Sequence, residues 1–298
     1  VKDKHKLISY TLLLALGAVW GSSFIIMKKV NPVFSPIQIS SLRLLFAGSA
    51  ALPLVYKSFK SFSKTQWRDL IIVGIIGNAI PSLLFAIASK GINSATSGIL
   101  NGLSPIFTLL LGILFFNFKA KIWHYTGAFM GIVGCILVLQ GNDSVNIGHQ
   151  WIYFSLPILG SFCYGISVNV LKSRLSDINP VITGATPFLF GAILGLIALP
   201  VSTIYHPLVI DANFLQALGL LAILGVVGST LSMILFNRLV QLNSAIFASS
   251  VTFIMPAFAL LWGIWDMENI RILQIVGMVI ILVAVYVIRQ GDRIKKLL

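Results

Sequence analysis

The chain has 298 residues, of which 57% are apolar or aromatic and only 10% are Asp, Glu, Lys or Arg, with a net charge of +13. A soluble domain carries about a quarter charged residues, so this chain has too little charge to cover a water-facing surface of its size. That excludes a soluble enzyme, a disordered chain and a disulfide-knit secreted domain, and leaves an all-α integral membrane protein with many spans.

A span needs about 20 mostly apolar residues. Ten stretches qualify: 7–27, 35–56, 69–89, 95–116, 121–140, 150–171, 180–204, 213–237, 244–265 and 270–289. The first follows a basic tail (Lys2, Lys4, Lys6) as a signal peptide would, but it is long and ends in no small-x-small cleavage site, so it reads as a helix. Sixteen Lys and Arg residues fall on the N-terminal side of the alternation. Four, Lys28, Lys29, Lys90 and Arg271, fall on the other. The positive-inside rule therefore places both termini inside. The same bias accounts for the basic charge as lipid-surface contact, without nucleic acid. The expected location is a bacterial inner (plasma) membrane, crossed many times.

The two halves match. Trp20-Gly21 with Pro36 stands 144 residues before Tyr164-Gly165 with Pro180, and Asn93-Ser94-Ala95 stands 150 before Asn243-Ser244-Ala245. Pro105 and Gly112 precede Pro256 and Gly263 by 151, and Gly127 precedes Gly277 by 150. The reading is two five-helix repeats, 1–140 and 150–298, joined by an outer linker at 141–149. Five is odd, so the second repeat is inverted relative to the first, a plan that recurs in secondary transporters with the substrate near the midplane.

The motifs Trp20-Gly21-Ser22-Ser23-Phe24, Ser35-Pro36 and Leu42-Arg43-Leu44-Leu45-Phe46-Ala47 resemble the drug/metabolite transporter superfamily, in particular its EamA-type ten-helix members. The Asn-Ser-Ala starts of spans four and nine, each followed by a proline, and the series Gly127, Gly131, Gly134 fit as well. The resemblance covers nearly the whole chain and implies export of amino acids, metabolites or drugs. Such proteins commonly carry Gly-Glu between spans four and five and between nine and ten. Here the first place reads Phe116-Asn117-Phe118-Lys119 and the second Asp266-Met267-Glu268.

Candidate site residues follow from cost. Pro105 and Pro256 each free the carbonyl one turn back, at Asn101 and Thr252, and are read as paired helix breaks lining a central cavity. Packed kinks are the other reading. Asn78 and Asn101 put amides at membrane depth, for a substrate or for a neighbouring helix. Trp20 and Tyr164 are repeat equivalents suited to stack on a substrate, or to pack. Arg43 is the one cation well inside a span. It is placed to bind a carboxylate, or to snorkel to headgroups. Lys28, Lys29 and Lys90 form an entry field for anions or anchor the interface.

The eight acids and four histidines fall in tails, loops or helix ends. Proton relay through a buried acid, an intramembrane aspartyl or serine protease and a metal site are therefore not expected, and there is no Walker-type loop. No cofactor is implied. The favoured function is a uniporter or exchanger for small amphipathic metabolites such as amino acids. A carrier of a lipid-linked or phosphate-bearing substrate, or a drug efflux protein, is the alternative. Gly17/Gly21, Gly98/Gly102, Gly127/Gly131 and Gly191/Gly195 serve close packing within a favoured monomer.

Overall fold

The computed structural model describes residues 2–140, 151–242 and 251–293. Asn142-Asp143-Ser144, a possible glycosylation acceptor, and the Asn243-Ser244-Ala245 start of the second repeat's fourth span lie outside them. Within them the fold is helical. The elements are α1 (Lys2–Val30), α2 (Pro36–Val55), α3 (Lys64–Gly74, a π turn Ile75–Ala79, then Ile80–Ala88) and α4 (Ser94–Asn101 and Ser104–Phe115). They continue as α5 (Ile122–Gln140), α6 (Trp151–Arg174), α7 (Pro180–Tyr205) and α8 (Phe214–Gly225, a π turn Val226–Leu231, then Ser232–Leu242). The last two are α9 (Val251–Trp265) and α10 (Ile272–Arg293). The first eight are long and apolar enough to cross a membrane. The last two supply shorter apolar helices, Ile254–Trp265 and Ile272–Ile288.

The starts of the helices are written in local chemistry. Ser35 and Ser63 cap α2 and α3 with full capping boxes, completed by Gln38 and Gln66. Asn93 accepts from Thr96 N (2.8 Å) at α4, and Asn179 accepts from Val181 N (2.9 Å) at α7.

Packing repeats the internal symmetry. α1 lies on α9 as α6 lies on α4, α3 meets α6 as α8 meets α1, and α8 meets α2 as α3 meets α7. Three pairs map onto themselves: α2 with α7, α4 with α9 and α5 with α10. Glycine permits the closest approaches. A Cβ on Gly225 would stand 2.5 Å from the Arg43 carbonyl oxygen, and one on its counterpart Gly74 2.5 Å from that of Pro187. Both interfaces lie one residue before a π turn. The two largest of five apolar clusters among the described residues fill most of the bundle. One is centred on Leu100, Ile281 and Ala284, the other on Phe24, Phe34, Leu221 and Ala259. Outward, Phe129, Ile132, Leu196, Ile197, Leu261 and Ile264 stand exposed, as a lipid-facing surface requires.

Candidate functional site

Each π turn carries one polar side chain that answers the extra residue. Asn78 Nδ2 donates to the Val73 carbonyl (3.3 Å), and Ser229 Oγ donates to the Leu224 carbonyl (3.1 Å). In both, the acceptor lies five residues upstream, and Asn78 and Ser229 are 151 apart, as the repeat requires. π turns are rare and often mark functional positions.

Arg43, on α2, turns into the bundle rather than toward headgroups. Its Nε donates to Ser229 Oγ (3.1 Å). Among the described residues no carboxylate pairs with it. Tyr164 stacks on Phe85 with centroids 6.1 Å apart, and its repeat partner Trp20 packs on Phe236 at 5.5 Å. Phe85 and Phe236 are again 151 apart. Trp20 Nε1 also donates to the Gly228 carbonyl (3.2 Å) inside the α8 π turn. Trp20 and Arg43 thus meet at one turn of α8.

A second polar group lies where α4 crosses α9. Asn101 Nδ2 faces Met255 Sδ (3.4 Å), while Ser104 Oγ donates to the Asn101 carbonyl (2.7 Å). The carbonyl freed by Pro105 therefore has a partner, and α4 breaks at Gly102–Leu103 just before it. Pro256 departs from expectation, because α9 runs through it without interruption. The position matching Ser104 is Met255, which has no hydroxyl to capture a freed carbonyl. Thr252 sits one turn before Pro256 on α9, half-buried. Trp20, Arg43, Asn78, Asn101 and Tyr164 are half-buried too, which is the exposure expected of side chains that line a cavity. Met255 is buried in the same cluster against which Trp20 and Tyr164 pack, and this connects the two groups.

Two features escape a residue-by-residue reading. Ser229 is one serine in an apolar run, although the repeat offset from Asn78 points straight to it. Lys28 and Lys29 do not form a free anion field. Lys28 Nζ donates to Asp266 and to Glu268 (2.8 Å each), and Lys29 also reaches Asp266. These lysines hold the Asp266 carboxyl below the usual carboxylate range. At the same end, a cleft of about 480 Å³ is lined by Phe34, Gln38, Lys90, Tyr205 and His206 among others.

Known proteins share this plan. The model of the EamA-like transporter family matches residues 7–140 and again 150–290. An S-adenosylmethionine/S-adenosylhomocysteine transporter of Chlamydia trachomatis serovar D is 23% identical over 82% of this chain and 77% of its own. The inner membrane transporter YedA of Escherichia coli K12 is 23% identical over 84% of this chain and 80% of its own. The chloroplastic WAT1-related protein At3g02690 of Arabidopsis thaliana is 22% identical over 94% and 69%. One solved crystal structure superposes with a TM-score of 0.61 over 96% of both chains at 14% identity, which establishes a shared fold.

Proposed function

The chain belongs to the EamA-like transporter family, a multi-pass membrane protein that transports rather than catalyses, and from that premise we propose that it exchanges or exports small amphipathic metabolites bearing a carboxylate, amino acids foremost. In this reading ten spans form two inverted five-helix repeats with both termini inside. Substrate alternates between faces through a cavity between the repeats, and the membrane is a bacterial inner membrane.

The observation that carries the reading is Arg43, a cation inside the bundle whose guanidinium meets a serine hydroxyl and, among the described residues, no acid. A charge at that depth without a counter-ion is costly. A bound carboxylate relieves the cost, accepting from the guanidinium atoms that Ser229 does not use. Trp20 and Tyr164 with their partner rings supply apolar walls, and Asn78, Asn101 and Thr252 supply hydrogen bonds. Pro105 sets the break in α4 beside Asn101, and Pro256 lies one turn past Thr252 in a continuous α9. With no carboxylate among these residues, the cargo's own gradient is the simplest driving force.

The Chlamydia relative bears on substrate size. S-adenosylmethionine carries an amino-acid end and a flat base, so one guanidinium and one aromatic wall suit it as they suit an aromatic amino acid. Counterflow in proteoliposomes separates the two. Vesicles are loaded with one unlabelled amino acid, or with S-adenosylmethionine, and uptake of the labelled form is followed without an ion gradient. Accumulation of any of these supports the reading. No accumulation of any, by protein shown to be folded, refutes it.

A further inference from the structure

The Asp266-Met267-Glu268 turn between α9 and α10 is the one part of the sequence pattern that the substrate site leaves unused. Glu268 is the most enclosed acid of the turn, with 1% of its side chain exposed. One oxygen accepts from Lys28 Nζ (2.8 Å) and from Ser94 N (2.9 Å), and the other accepts from Ala95 N (3.1 Å). A single carboxylate thus joins the end of α1, the α9–α10 turn and the start of α4. It meets α4 where the helix dipole favours an anion. Asp266 adds a second tie to Lys28 and one to Lys29. Lys28 is the hub, because it touches both acids.

The repeat allows a direct comparison with the opposite face. A similar turn is built there: Asn117 and Met267 both take φ 54°, and Phe118 N donates to the Gly112 carbonyl six residues back while Glu268 N donates to the Gly263 carbonyl five back, each at 2.9 Å. Yet the position matching Glu268 is Phe118, and the position matching Lys28 is Lys172. The cation is kept and the acid is not. Lys119 and Lys121 in that turn add like charge. The ion pair present on that face, Asp69 with Arg68 and Arg174, joins α3 to α6, and its cations are about half exposed. Exposed pairs hold little. Enclosed pairs that also bind backbone N–H groups hold more.

We infer that Glu268 and Lys28 form a latch that closes the Lys28 face of the transporter, with no counterpart at the matching Asn117-Phe118 turn of the opposite face, so that the closed Lys28 face is the resting state. The inference rests on the transport reading given above. The latch must release for α1 to part from the α9–α10 turn, and cargo leaves on that face only then. The matching turn has Phe118 in place of the carboxylate, and parting there breaks no such contact.

Distance measurement between spin labels tests it. Labels go on Pro32→Cys, just past α1 and exposed, and on Met267→Cys, 92% exposed, in a chain whose Cys135 and Cys163 are alanine. One short distance is expected in the parent. In Glu268→Gln and in Lys28→Gln a longer population should grow severalfold. Lys28→Gln leaves the Glu268 bonds to α4 intact and guards against a folding defect in Glu268→Gln. Unchanged distances in both folded variants overturn the latch, whatever counterflow shows. Shifted distances with no counterflow of any candidate keep the latch and remove only the substrate reading.

Discussion

Arg43→Gln tests the site at its centre. The substitution keeps a hydrogen-bond donor of moderate length and removes the charge. Folding should survive, because Ser229 keeps its own bond to the Leu224 carbonyl and no buried acid is left without a partner. What is lost is a charge-assisted bond to the cargo carboxylate, worth about 1.5–3 kcal/mol. That corresponds to a rise of roughly 10- to 150-fold in the concentration for half-maximal counterflow. The control is the amine analogue that lacks the carboxylate. The parent should prefer the acid by about that factor, and Arg43→Gln should treat the two nearly alike. If Arg43→Gln keeps both the parent affinity and the parent preference, Arg43 does not bind the carboxylate and the reasoning fails.

Three further outcomes are expected. Asn101→Ala should cut counterflow while the melting temperature holds, since Ser104 still bonds the Asn101 carbonyl; parent rates would remove Asn101 from the site. Gly225→Ala should destabilise by about 1–3 kcal/mol, the usual cost of overpacking, because the new methyl meets the Arg43 backbone rather than a movable side-chain end; thermal unfolding in detergent reads this. Asp266, whose carboxyl is held low by Lys28 and Lys29, contributes stability that is full above the ordinary carboxylate value near pH 4 and is lost as pH falls through its own lower value. Asp266→Asn should flatten that acid-side loss in melts taken at successive pH values.

The repeat was readable because its markers, Trp20 with Tyr164 and Pro105 with Pro256, are large or rigid residues that stand out in an apolar background. The π turns were not. A widened turn leaves no compositional trace, and Val226–Leu231 reads like any other apolar stretch. Asn78 was visible by the cost of its amide, whereas Ser229 was not, because serine is common in spans and ties to its own backbone cheaply. Arg43 was visible by its charge, but only packing shows that it faces Ser229 instead of headgroups. Glu268 sits at a helix end in the sequence. Its partners Ser94 and Ala95 are more than 170 residues away, and no local pattern carries that distance. Pro105 and Pro256 look alike as letters and behave differently, since one follows a serine and the other a methionine.

The matched π turns carry a mechanical consequence. Such a turn holds one residue more than an α turn needs, and an α-helix advances about 100° and 1.5 Å per residue. Returning that residue to regular α geometry would swivel the rest of the rod by this amount without any hinge loop. On α3 the swivel carries Phe85 away from Tyr164, and on α8 it carries Phe236 away from Trp20. Each half of the protein therefore stores one residue of slack in the wall of the site, ready to be taken up by rotation.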